Sequence, residues 1–222
     1  LERASRELSG ERLVTVSSML AECYSADGQY RKAADAFDRV AALAPDTKVA
    51  QNARYEVGRL SVERLGDYGR GRAAFTAYVA SPLGGELKEA AYYSLCEIDG
   101  REGAHKNALY CFNNFLRTYP DGFYAPNARL WRGALYQDVL RKFADAERDL
   151  LAFLAAKPHH PRADEARYRV ALGRYQSGDH RGALRMIEEY GRENPGGQYT
   201  LRIERLRRAI LDPDFSVDLD SQ

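Results

Sequence analysis

The chain has 222 residues, 45% hydrophobic and 29% charged, the balance of a folded globular protein, which excludes wholesale disorder. Thirty-three basic residues against thirty-two acidic ones give a formal net charge of +1, so the broad positive field of a general nucleic-acid binder is missing. No apolar run is long enough to cross a membrane as a helix.

The chain opens at Leu1, with no initiator Met, no signal-peptide pattern and no cysteine suited to lipidation, and reads as a piece of a longer protein. From there it resembles itself at a fixed shift. Pro45, Pro82, Pro120, Pro158 and Pro195 are 37 or 38 residues apart, and so are the small residues Ala21, Gly58, Cys96, Gly133 and Ala171. A third marker is ARY (53–55), AYY (91–93), ARL (128–130) and ARY (166–168). The three rulers agree on five units, 13–48, 49–86, 87–123, 124–161 and 162–198.

In each unit a first helix, A, runs to a polar or glycine turn: DGQY (27–30), LGDY (65–68), REGA (101–104), LRKF (140–143) and SGDH (177–180). A second helix, B, follows and stops at the proline, which can neither donate a hydrogen bond nor fit a further turn. Apolar residues fall three and four apart: Leu13, Val16, Leu20 and Tyr24 in the first A helix, and Ala33, Phe37 and Val40 in the first B helix. The small residue in mid-helix A lets the antiparallel helix approach closely. Units two and four carry one extra residue between that small position and helix B. After unit five, 199–211 begins a sixth unit as an amphipathic capping helix. An extended acidic tail then follows over 212–222, with four aspartates and Pro213. No alternating strand pattern is found, and the chain is expected to be all-α.

Leu20, Ala21, Tyr24, Gly28, Tyr30, Ala33, Phe37 and Pro45 stand at the spacing of the tetratricopeptide repeat, which unit one closely resembles. Unit three follows with Leu95, Cys96, Gly103, Ala108, Phe112 and Pro120, and unit five with Ala171, Gly178, Ala183 and Pro195. The period exceeds the usual 34 residues, with the extra length after the proline. That long form resembles repeats of bacterial cell-envelope proteins: the β-barrel assembly lipoprotein, the Tol–Pal-associated coordinator and repeat regions of FecR-type regulators.

The resemblance implies a right-handed superhelical solenoid of about five hairpins plus a cap, a single repeat region over 1–222, with the A helices lining a concave groove. Its function would be that of a non-catalytic scaffold holding protein or peptide partners, in the periplasm or envelope. The alternative is a cytoplasmic adaptor or chaperone partner clamping an acidic peptide. The groove wall is assigned to Arg54, Tyr55, Tyr92, Tyr93, Arg129, Arg167 and Tyr168, tyrosines giving rigid contact area and arginines meeting carboxylates or carbonyls. The competing reading packs the tyrosines within the hairpins and pairs the arginines with neighbouring acids such as Glu56, Asp164 or Glu165. Trp131 is read as core rather than wall.

Catalytic and cofactor signatures are missing. No nucleophile elbow, phosphate loop or zinc-helix motif occurs, so neither an enzyme nor a cofactor is expected. His159, His160 and Asp164 surround two prolines in a connecting loop without a second ligand cluster, and no metal site is assigned. Cys96 and Cys111 flank the turn near Gly103 symmetrically. They read as two buried thiols, with a disulfide as the alternative in an oxidising compartment. Cys23 is expected to be buried in the first helix.

Overall fold

The computed structural model describes residues 10–212, in which eleven helices and no strand occur. They are α1 (Gly10–Ala26), α2 (Tyr30–Leu43), α3 (Lys48–Leu60), α4 (Tyr68–Ala80), α5 (Lys88–Arg101), α6 (His105–Thr118), α7 (Ala125–Asp138), α8 (Phe143–Ala156), α9 (Ala163–Gln176), α10 (His180–Glu193) and α11 (Thr200–Leu211). Beyond Asp212 the expected acidic tail lies outside the described residues. Two compact units can be distinguished, Leu1–Cys111 and Phe112–Gln222. Such a division suits a repeat, in which each hairpin is held by its immediate neighbours.

The first unit holds the hairpins α1/α2 and α3/α4, then α5 and the start of α6. Ala33, Phe37 and Val40 of α2 are buried with Ala21 of α1 and Ala53, Val57 and Leu60 of α3. Leu13, Val16, Leu20 and Tyr24 are only half-buried. Further along, Phe75, Tyr78, Ala91 and Ile98 form a second cluster. The second unit centres on Leu130, Leu150, Phe153, Tyr168, Met186 and Tyr190, and α11 closes onto it through Ile203 and Leu206.

The small residue of each A helix is where its partner comes closest. Ala21, Cys96 and Ala171 are fully buried. At Gly58 a Cβ would stand 2.7 Å from the ring of Phe75 on α4, a separation no packed core tolerates.

All five intra-hairpin turns share one backbone device. The residue two before helix B has positive φ, at Gly28 (73°), Gly66 (64°), Arg141 (54°), Gly103 (74°) and Gly178 (89°). In units one, three and five a backbone N–H then closes the turn onto a carbonyl five residues back: Gln29 to Tyr24, Ala104 to Asp99 and Asp179 to Arg174. In units two and four the bond spans six residues, from Asp67 to Ser61 and from Lys142 to Tyr136. The extra residue is therefore absorbed before the turn. In unit two it widens the end of α3 into a π-helical segment, Ser61–Leu65. In unit four it is taken up between Val139 and Leu140, after which Arg141 adopts the conformation that glycine supplies elsewhere.

Candidate functional site

The ladder four residues before the small position is built into the loops. Arg54, Arg129 and Arg167 each donate to the carbonyl oxygen of the proline nine residues earlier: Pro45 (3.2 Å), Pro120 (2.8 Å) and Pro158 (3.3 Å). The proline carbonyl lies in the loop two residues past the helix end, outside any helical ladder, and a guanidinium reaching back from the next helix satisfies it. Arg167 also pairs with Glu193 at 3.1 Å and Asp164 at 3.8 Å, and it is 9% exposed.

The two loops that lack this arginine are held from the opposite side. The eleventh residue of each B helix is Val40, Tyr78, Phe115, Phe153 or Tyr190. The Tyr78 hydroxyl accepts from the Gly85 N–H at 3.1 Å, and the Tyr190 hydroxyl accepts from the Tyr199 N–H at 3.2 Å. Tyr190 also reaches Asp164 at 3.4 Å, and burial pushes its phenol pKa up. Each of the five loops thus has one side-chain clasp, an arginine from the following helix or a tyrosine from the preceding one.

The tyrosine ladder runs between helices. Tyr93 and Tyr168 are 7% and 5% exposed, and Tyr55 packs against the rings of Phe75 (5.7 Å) and Tyr78 (5.6 Å). Tyr168 stacks on Tyr199 at 5.3 Å, with Arg202 over both rings. Tyr93, Tyr168 and Arg167 therefore contribute mainly to packing, as Leu130 does in the same row, although Tyr168 still lines a cleft of about 180 Å³ with Arg169, Tyr199 and Arg202. Tyr92, Arg54 and Arg129 keep partial exposure. Trp131 is half-buried, parallel to Phe112 at 6.2 Å and beneath Arg162.

Of the two readings of Cys96 and Cys111, the disulfide holds and joins facing turns of α5 and α6, in place of two separate thiols. The expected burial of Cys23 is corrected. Cys23 is exposed: two residues past Ala21 turns it about 200° away from the buried side of α1.

Clefts open on the helices of both units: in the second, one lies along Asp138, Tyr168, Arg169 and Arg202 and another on α11 beside Leu201 and Arg205. In the first unit, a cleft of about 550 Å³ lies between α1 and α3. Phe37, Val40 and Ala53 make its floor, Ser18, Ser25 and Asn52 its polar wall, and Glu22 and Glu56 its charged rim. A second cleft of about 310 Å³ between α3 and α5 carries Arg59, Glu63, Glu97 and Arg101 around Val62 and Phe75. The π-helical segment of α3 brings Val62 and Glu63 into it. Arg59 is held by Glu56 at 2.6 Å and Glu63 at 3.4 Å, and Arg101 by Glu97 at 2.9 Å. Hydrogen bonding to Glu56 keeps Arg59 above its ordinary pKa, and Glu97 does the same for Arg101.

Nothing among the described residues groups three potential metal ligands. His160 is engaged through Nδ1, which accepts from the Arg162 N–H at 3.1 Å, and its ring meets the edge of Phe153.

Residues 18–47 match the family model described as tetratricopeptide repeat. The fold is that of the tetratricopeptide repeat (TPR). Solved TPR structures align along most of the chain. A TPR protein from Parabacteroides merdae gives a TM-score of 0.69 at 17% identity, over 89% of this chain and 73% of that one. YrrB, described as a TPR protein with an unusual peptide-binding site, gives 0.64 at 16% identity, over 85% and 90%. MamA gives 0.62 at 15% identity, over 82% and 95%. No curated protein matches the chain significantly. At these identities it is the TPR architecture alone that is shared.

Proposed function

We propose that the chain is a non-catalytic scaffold that holds a partner polypeptide against the A-helix face of its first unit, across the α1/α3 and α3/α5 clefts. The carrying observation is the α1/α3 cleft itself, which combines an apolar floor with serine, asparagine and glutamate side chains in a volume suited to a few residues of peptide. YrrB, whose description records a peptide-binding site, has the same architecture and supports this reading by analogy. An acidic-peptide clamp finds less support, because the arginines that would have formed it clasp main-chain carbonyls.

The setting proposed is the bacterial envelope. The Cys96–Cys111 disulfide supports it, since such bonds persist in oxidising compartments and are rare in a reducing cytosol.

Selection of a displayed random-peptide library against the protein tests the site. Peptides enriched on the wild type should fail to bind Ser18→Trp, whose indole fills the α1/α3 cleft. Equal binding to both proteins contradicts the proposal.

A further inference from the structure

The chemistry of the clefts specifies more than the presence of a peptide. Four carboxylates, Glu22, Glu56, Glu63 and Glu97, line the two clefts of the first unit against two guanidiniums, Arg59 and Arg101. Both guanidiniums are committed to these same acids. Arg59 is shared by Glu56 and Glu63, and Arg101 binds Glu97. Glu22 stands at the rim of the larger cleft, exposed and with no ion pair among the described residues.

Among the described residues that line the two clefts there are therefore carboxylate oxygens to offer and no unengaged cation. A partner carboxylate brought here would meet net negative charge, and recruiting Arg59 or Arg101 would strip an acid of its own partner. A partner ammonium or guanidinium would find Glu22 directly and could share the second oxygens of Glu56 and Glu63. Beside these acids, Val49, 46% exposed, and the half-buried Val62 offer an apolar surface over the buried Phe37 and Val40. Charge complementarity and apolar contact thus call for the same kind of chain, one with aliphatic and basic residues interleaved.

We infer that, on the reading of these clefts as the peptide site, the partner segment is cationic and amphipathic, its Lys or Arg residues meeting Glu22, Glu56 and Glu63 and its aliphatic residues seated on Val49 and Val62. The overall charge of +1 gives no sign of this preference.

The test uses three fluorescein-labelled ten-residue peptides with the same alternating Leu and Val and with Lys, Gln or Glu between them. Binding is followed by fluorescence anisotropy at low salt. The Lys peptide should bind on the order of ten-fold tighter than the Gln peptide, and the Glu peptide weakest. The double variant Glu22→Lys, Glu63→Lys should reverse that order while its circular dichroism stays unchanged, and Ser18→Trp should weaken all three peptides. If the peptides bind alike and Ser18→Trp still weakens them, the cleft site stands and the cationic preference is overturned. If the Lys peptide binds tightest but ignores the double reversal, the preference belongs to another surface and the inference fails. If the Glu peptide binds tightest, it fails as well. If none binds, the cleft reading falls with it.

Discussion

Arg141 is the residue whose backbone departs most from its chemistry. It occupies the positive-φ position that glycine fills in the other four turns. A side chain there costs about 1 kcal/mol, so Arg141→Gly should raise the stability of the protein by roughly 0.5–1 kcal/mol in urea denaturation. No change, or a loss, would mean that the Arg141 side chain, which lies over Phe143, contributes as much as the strain removes. The clasps make a second residue-scale prediction. Tyr78→Phe and Tyr190→Phe each leave a loop N–H without its acceptor, and each should lower stability by about 1 kcal/mol. Phe153→Tyr, in a loop already held by Arg167, should bring no gain. The arginine–proline spacing of nine residues stood in the sequence at 54, 129 and 167. Its meaning was hidden because a guanidinium on a helix reads equally as a ligand for a partner or for its own chain. The buried state of Tyr93 and Tyr168 was obscured in a similar way: a tyrosine fits a groove wall and a helix interface equally well.

Among the elements, the hairpins were the most legible. The proline stops, the small mid-helix positions and the glycine turns each carry a local physical requirement, and α2, α4, α6, α8 and α10 end within two residues of the expected prolines. The extra residue of units two and four was visible as a count. Whether it would become a π-helical segment or an arginine in the left-handed region depends on packing that a single sequence does not record. The α5/α6 hairpin carries the disulfide. Opening a loop of this size should cost about 3 kcal/mol, so a reducing agent should shift the unfolding midpoint, and the Cys96→Ala, Cys111→Ala variant should be insensitive to it.

The loop leading into α9 makes stability depend on pH in two windows. Burial raises the pKa of Glu165, but Arg162 and Arg169 outweigh burial and hold it below 4.5. Stability from this group is complete above that value and is lost as pH falls through the lower folded value. His160 is depressed by burial and by the charges of Lys157 and Arg162. It takes up its proton at a lower pH in the folded protein than in the unfolded chain, which does so near pH 6.5. Stability should therefore begin to fall below pH 6.5, and His160→Gln should flatten that first slope while leaving the acid limb intact. Denaturation midpoints recorded from pH 7 to pH 3 would show whether it does.

At the scale of the whole chain, repetition explains why the fold could be read and the site could not. Every unit must satisfy the same packing rules, so those rules recur every 37 or 38 residues and stand out. A partner touches only some units, and its imprint does not recur. The arginines and tyrosines ahead of the small residue recur with the repeat and take part in holding its loops and helices together. The clefts of the first unit use residues that differ from row to row, such as Ser18, Asn52 and Glu22.

The most direct measurement sets structure and binding side by side. Arg54→Gln, Arg129→Gln, Arg167→Gln combined, and Ser18→Trp alone, are compared with wild type for urea stability and for affinity to a library-selected peptide. The triple variant should lose about 2–3 kcal/mol and, below its unfolding transition, bind as wild type does, whereas Ser18→Trp should keep its stability and lose the peptide. A triple variant of full stability that no longer binds, with Ser18→Trp binding normally, would return the arginine ladder to the partner and contradict the account.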